Sequence, residues 1–302
     1  MLTSWNGVFP AVTTKFSADG ALDIPAFLHN IRAQVDAGVH GLILGGSLGE
    51  SSTLSHEERL ELLAATRETV RGQVPVLLNI AEGSTRQAIR LAQQAQENGA
   101  DGLMVLPPLL YKPTPQETVD FFKTVAQNTD LPILVYNNPV DYKVEVTPDM
   151  FEELLVLENI QAVKESTRDI SNVTRLISRF GDRLNILCGV DTLALEALFM
   201  GAQGWVAGLV DAFPQETVAI YQLAKAGRRE EALAIYRWFL PLLELDIHPQ
   251  LVQNIKLAET LTGLGTEHVR LPRQPLQGAE RERVLGVIRK ALAERPVLPA
   301  FR

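Results

Sequence analysis

Eight short apolar runs, each followed by an amphipathic stretch, restrict this chain more than any other feature. The runs are GVFPAVTT (7–14), VHGLILGG (39–46), VPVLLNIA (74–81), DGLMVLPP (101–108), LPILVYNN (131–138), IQAVKES (160–166), LNILCGV (184–190) and QGWVAGL (203–209). Most are nearly continuous in Val, Ile and Leu, the pattern of parallel strands covered on both faces. Helical periodicity fills the gaps, as in IPAFLHNIRAQVDAG and ERLELLAATRETVRG. Ser55 with Glu58, Ser84 with Gln87 and Thr114 with Glu117 each match a capping box at a helix start. Helix ends repeat one pattern, in DAGVHGLIL, ENGADGLMV and FMGAQGWVA. The first glycine of each (Gly38, Gly99, Gly201) suits a left-handed C-cap, and the second (Gly41, Gly102, Gly204) opens the next strand.

This succession predicts an α/β fold, a (β/α)8 barrel. A doubly wound open sheet fits less well, because no G-x-G-x-x-G follows the first strand. After residue 210 the pattern is purely helical. One helix completes the last unit, so residues 1–225 read as the barrel and residues 226–302 as a C-terminal helical layer packed on it. With 302 residues, 46% of them hydrophobic, a large core is expected.

A net charge of −8 argues against a nucleic-acid partner. The single cysteine, Cys188, leaves no internal disulfide and no multi-cysteine metal site, and reads as a core thiol. Five histidines are scattered without ligand spacing, so no metal is expected. The N-terminal residues lack a signal peptide's basic and apolar regions, and no run approaches the ~18 apolar residues of a membrane span. A cytoplasmic location without a membrane partner is therefore expected.

In such a barrel the chemistry sits at the C-terminal ends of the strands. Lys164 ends the sixth run and Tyr136 the fifth, so the two should be neighbours. A lysine desolvated among apolar groups loses its proton readily and attacks carbonyl carbon, giving a Schiff base. Tyr136 is then placed to move protons. The alternative for Lys164 is pairing with a buried carboxylate or snorkelling to the barrel mouth. Glu165, next along the strand, should point the other way. The Gly-rich turn GGSLGES offers backbone N–H groups for a carboxylate or phosphate, with Ser47 as a further donor and Glu50 bracing the loop. Asp191 is expected to cap the next helix, with contact to substrate as the alternative, and Trp205, Trp238 and Phe239 to lie in the core or an interface.

Taken together, Gly46–Leu54 (G-[ST]-x-G-E-S-x-[TS]-L), Tyr136–Pro139 (Y-N-x-P), Lys164–Thr167 (K-[ED]-[SA]-[ST]), Gly189–Asp191 (G-x-D) and Arg270–Pro272 (RLP) resemble the dihydrodipicolinate synthase / N-acetylneuraminate lyase family. The resemblance runs nearly end to end. It implies a Schiff base on Lys164, proton transfer by Tyr136, a 2-oxo acid carboxylate at Ser47 and a homotetramer. No cofactor is implied, since the covalent link forms on the chain's own lysine. Gly46, Ser47, Leu48, Leu110, Asn138, Asp141, Gly189 and Val206 become the expected substrate contacts.

Three positions depart from the synthase pattern. Leu48 stands where a second threonine is usual, and Leu110 where the relay tyrosine is usual, with Tyr111 one residue later. Asp141 stands at or near the arginine that binds the second substrate's carboxylate, and a carboxylate there would repel an anionic aldehyde acid. The set GSLGE, LPP, YNNPVDYK and YRWFLPLLELD looks most like the branch that deaminates 1-pyrroline-4-hydroxy-2-carboxylate. Aldolases and dehydratases of 2-keto-3-deoxy sugar acids, 4-hydroxy-2-oxoglutarate aldolase, dihydrodipicolinate synthase itself and a silent 2-oxo acid binder are the alternatives.

Overall fold

The computed structural model describes residues 4–300. Eight parallel strands follow one another in chain order: β1 (Gly7–Pro10), β2 (Leu42–Leu44), β3 (Val76–Ile80), β4 (Gly102–Val105), β5 (Ile133–Asn137), β6 (Ile160–Glu165), β7 (Asn185–Cys188) and β8 (Gly204–Ala207). Every strand hydrogen-bonds its chain neighbour from β2 through β8, and β8 pairs with β1. A parallel bridge from Ala11 to Ile43 joins β1 to β2 and closes the barrel. The strands are shorter than the apolar runs suggest, because the flanking residues already bend into loops.

Helices α1 (Ile24–Asp36), α2 (His56–Val70), α3 (Thr85–Glu97) and α4 (Pro115–Ala126) follow the first four strands. After β5 come α5, a single turn at Pro139–Tyr142, and α6 (Pro148–Leu154); then α7 (Ser171–Phe180), α8 (Ala194–Phe199) and α9 (Pro214–Lys225) complete the ring. Three more helices form the C-terminal layer: α10 (Arg229–Leu243), α11 (Leu251–Thr262) and α12 (Gly278–Ala293). Trp238 on α10 ties the layer together by donating to the Ala291 carbonyl on α12, at 3.0 Å. Among the described residues no helix is long and apolar enough to cross a membrane.

Ser55 and Thr114 form complete capping boxes with Glu58 and Glu117. Ser84 accepts from the Gln87 N–H, but Gln87 does not reach back, so only half of that box forms. The recurring glycines are explained at both positions. Gly38, Gly99 and Gly201 have φ of 90°, 79° and 107°, where a Cβ is strained. A Cβ on Gly204 would come within 2.7 Å of the Gly7 carbonyl oxygen, so this glycine lets β8 approach β1.

Candidate active site

The C-terminal ends of the strands open into a cavity of about 560 Å³. Lys164 and Tyr136 are paired residues across β6 and β5, as their strand positions predict. Lys164 is 7% exposed, and its Nζ sits 4.1 Å from the centre of the Tyr136 ring. Burial lowers its pKa from the ordinary lysine value, while the charges of Asp246 and of groups beyond it resist that shift. Among the described residues its ammonium has no ion-pair or hydrogen-bond partner, so neither pairing with a buried carboxylate nor snorkelling describes it.

Gly189 explains how a lysine reaches this position. A Cβ there would come within 2.6 Å of Lys164 Cγ and 2.7 Å of Cε. The bare backbone at the end of β7 is therefore the floor on which the lysine side chain lies. Ser166 lines the same cavity, and its hydroxyl is buried without a hydrogen-bond partner.

Tyr136 is held by its neighbour two residues on. Asn138 donates through Nδ2 to the Tyr136 hydroxyl at 3.1 Å and to the Asp141 carboxylate at 2.8 Å. Its side-chain oxygen accepts from the Asp141 N–H, which shapes the α5 turn. Burial raises the Tyr136 phenol well above its ordinary range, which favours the protonated phenol over a phenolate. Tyr142 packs edge-on against it at 5.7 Å, and burial pushes its phenol up to about 12.

On the other wall, Gly46, Ser47 and Leu48 line the cavity in the turn after β2. The Ser47 hydroxyl hydrogen-bonds the Tyr142 hydroxyl. Tyr142 thus supplies a second phenol beside the Gly-rich turn. Tyr111 does not, being 55% exposed outside this chain's cavity. Leu110, expected to contact substrate, is likewise outside: it is 80% exposed and its Cδ1 reaches toward Gly83 in the neighbouring loop. The loop after β4 simply turns outward before reaching the barrel mouth.

Asp141 does line the cavity, but not as an isolated negative charge. Arg168, in the loop after β6, lies 3.8 Å from it and lines the cavity too. Arg168 holds φ 62°, an uncommon conformation for a residue with a side chain. The repulsion of an anionic substrate expected from Asp141 is therefore offset at short range.

The remaining assignments follow from hydrogen bonds. Glu165 points away from the cavity and accepts from Asn137, Asn172 and Thr167 between β6 and α7. Asp191 caps no helix by its side chain. It accepts from the Trp205 indole at 2.8 Å and from the Leu209 N–H at 2.9 Å, fixing the loop after β8. Glu50 braces the Gly-rich turn from beneath. It is fully buried, pairs with Lys256 of α11, and accepts from the Arg270 N–H at 3.0 Å. Cys188 is buried, and its thiol is pushed up to about 12 by burial, an unreactive core group.

Sequence reasoning did not foresee one wall of the cavity. The segment between α10 and α11 closes it with Asp246, Ile247, His248 and Pro249, and Arg273 adds a cation. The only sign in the sequence is the run LELDIHPQ, where acidic and imidazole groups interrupt an apolar helical pattern.

A sequence profile of the Dihydrodipicolinate synthetase family matches residues 4–291. The 4-hydroxy-tetrahydrodipicolinate synthase of Methanoculleus marisnigri is 32% identical over 290 residues, covering 94% of this chain and 98% of the relative. That of Haloarcula marismortui is 34% identical over 269 residues, covering 89% of this chain and 88% of the relative. The crystal structure of dihydrodipicolinate synthase from Acinetobacter baumannii, complexed with pyruvate, superposes with a TM-score of 0.91 at 25% identity, over 95% of this chain and 99% of that one.

Proposed function

The chain belongs to the dihydrodipicolinate synthetase family, and from that premise we propose that it opens and deaminates 1-pyrroline-4-hydroxy-2-carboxylate through a Schiff base on Lys164. The family makes it a lysine Schiff-base enzyme of the class I aldolase type. The substrate is our inference. The observation that carries it is the pair of replacements inside one cavity: hydrocarbon at Leu48 and a carboxylate at Asp141, both lining the space around Lys164.

The proposed course uses the chain's own groups. Lys164 adds to C2 of the cyclic imine, and the ring nitrogen leaves as a primary amine on C5. The substrate carboxylate lies on the N–H groups of the turn at Gly46–Leu48, next to Ser47. Tyr136 removes a proton from C3, and the 4-hydroxyl departs as water. The C5 amine tautomerises to an imine, whose hydrolysis releases ammonia. Hydrolysis at C2 frees Lys164 and 2-oxoglutarate semialdehyde. One water is consumed overall and one ammonia released. No second carbonyl compound has to bind, which fits the absence of an arginine at Asp141.

A specific observation favours a second reading, 4-hydroxy-tetrahydrodipicolinate synthase, the activity named for the relatives above. Arg168 brings a guanidinium to the rim beside Asp141, where it could hold the carboxylate of an aldehyde acid. Assays that follow ammonia release from the pyrroline and pyruvate consumption with aspartate semialdehyde separate the two. Ammonia release alone supports the deaminase. Pyruvate consumption without ammonia release replaces it with the synthase.

We also propose a homotetramer, as the family resemblance implies. The exposed apolar surface of Leu110 and Tyr111 is compatible with burial between subunits. Light scattering on the purified chain tests it, and a monomer mass contradicts it.

A further inference from the structure

The C-terminal layer places a carboxylate in the cavity that nothing in the proposed course yet uses. Asp246 follows α10 and lines the cavity with Lys164. Its Oδ1 lies 2.3 Å from where a Cβ on Gly208 would be, so the carboxylate rests on bare backbone just past β8. Among the described residues no hydrogen bond or ion pair engages it. Lys164 thus has Tyr136 beside it on β5, while Asp246 lines the same cavity from the other side, against Gly208 just past β8. Lys164 and Asp246 influence each other's ionisation but no ion pair joins them. The gap between two unpartnered groups is where a reacting atom belongs.

We infer that Asp246 is the acid that protonates the group leaving C2 as the Schiff base forms, and the base that takes the proton back on hydrolysis. This rests on the Schiff-base reading above. With a 2-oxo acid, Lys164 Nζ bonds to C2 and a proton passes from nitrogen to oxygen, giving a carbinolamine. The C2–O bond then breaks, the nitrogen lone pair forms C=N, and oxygen leaves as water with the proton of Asp246. A neutral amine, ketone and carboxylic acid become an iminium, water and carboxylate, so charge balances. With a cyclic imine the C2–N bond breaks instead, and the same proton goes to the ring nitrogen.

Of the other polar groups nearby, the Ser166 hydroxyl is also without a partner but is a far weaker acid than a carboxyl, and the acidic groups Asp191 and Tyr142 are engaged. Asp191 spends its carboxylate on Trp205, Gly208 and Leu209, and the Tyr142 hydroxyl is bonded to Ser47. Burial, together with the charges of Asp191, Asp211 and Asp141, raises the Asp246 carboxyl well above the carboxylate range, against the pull of Lys164. A carboxyl so placed keeps its proton to higher pH than an exposed one, the direction a general acid needs.

The test measures Schiff-base formation itself, with pyruvate as probe. Borohydride quenches timed aliquots, and mass spectrometry counts label on Lys164 in wild type, Asp246→Asn and Asp246→Glu across pH. Asp246→Asn should reach the same final labelling but approach it about 100-fold more slowly, and lose the pH limb that the acid provides. Asp246→Glu should recover much of the rate. If Asp246→Asn is unstable, Gly208→Ala, which displaces the carboxylate, should show the same slowing. An Asp246→Asn rate within about threefold of wild type overturns the proposal, since general acids contribute far more. A Glu variant as slow as the Asn variant also overturns it. Absence of label in wild type would instead sink the Schiff-base reading, and this proposal with it.

Discussion

The two sides of the cavity are built on different plans. On the β5–β6 side the reactive groups are strand residues, Tyr136 and Lys164, paired in register and held by local contacts such as that from Asn138. On the β8 side the strand contributes Val206, with Gly208 just past it, and the charged group, Asp246, arrives from beyond α10. The brace under the Gly-rich turn also comes from afar, through Lys256 and Arg270 to Glu50. A nucleophile set on a rigid strand keeps its geometry cheaply. The proposed proton partner, Asp246, and the Gly-rich turn proposed to hold the substrate carboxylate both depend on the C-terminal layer, which on this reading makes the layer part of the site.

Substitutions can sharpen or break that contrast. The largest effect belongs to the strand side. Lys164→Ala should lower turnover by about 10⁴-fold or more while leaving near-UV circular dichroism unchanged; residual turnover near wild type would remove the strand side from the chemistry. Gly189→Ala comes next, because its Cβ would sit 2.6 Å from Lys164 Cγ. It should cost about 100-fold in activity and in borohydride labelling, as small misplacements do.

On the layer side, Lys256→Met removes the fully buried cation from Glu50 and leaves it the Arg270 N–H and the more distant Arg273. Urea denaturation should show a loss of about 3–5 kcal/mol, and KM should rise more than kcat falls as the Ser47 turn loosens. An unchanged midpoint would mean that the layer does not brace the site. Tyr142→Phe, which deletes the Ser47 contact, should raise KM by about fivefold, the worth of one hydrogen bond. Arg179→Ala removes exposed pairs with Asp149 and Glu152 and a contact over the Phe180 ring, all far from the cavity, and should leave the kinetics unchanged and the midpoint nearly so.

The pH dependence distinguishes a buried lysine from an exposed one. Burial lowers the Lys164 pKa below the ordinary 10.5, so its neutral amine is populated at lower pH. In Asp246→Asn, which lacks the acid limb, labelling by a 2-oxo acid should rise with pH through the depressed value and level off before 10.5. Stability has a matching sign. Between the depressed folded value and 10.5 the unfolded chain holds a proton that the native chain has shed, so this group's contribution to stability grows as pH rises. A labelling rate still climbing at 10.5 would show an unperturbed lysine.

The barrel was legible in the sequence because fully covered parallel strands leave continuous apolar runs, and because close strand approach demands glycine at positions such as Gly204. Lys164 and Tyr136 were legible for the same reason: each ends a run, and consecutive strands are neighbours. Position along a strand says nothing of how a loop turns. Leu110 and Tyr111 follow β4 outward, while Tyr142 folds back over the cavity on the turn that Asn138 caps. Asp141 looked repulsive because its partner, Arg168, lies on the next loop. Asp191 looked like a helix cap because the groups that donate to it, Trp205 and the Leu209 N–H, come from β8 and the loop after it. Asp246 escaped notice altogether, since a contact between the layer and Gly208 has no local periodicity to announce it.

The account stands on covalent chemistry at one residue. Incubating the purified chain with pyruvate and borohydride, then mapping the modified peptide, measures it directly. The account predicts one stable adduct per chain, on Lys164, absent from Lys164→Ala. No adduct, or an adduct on another lysine that persists in Lys164→Ala, would contradict it.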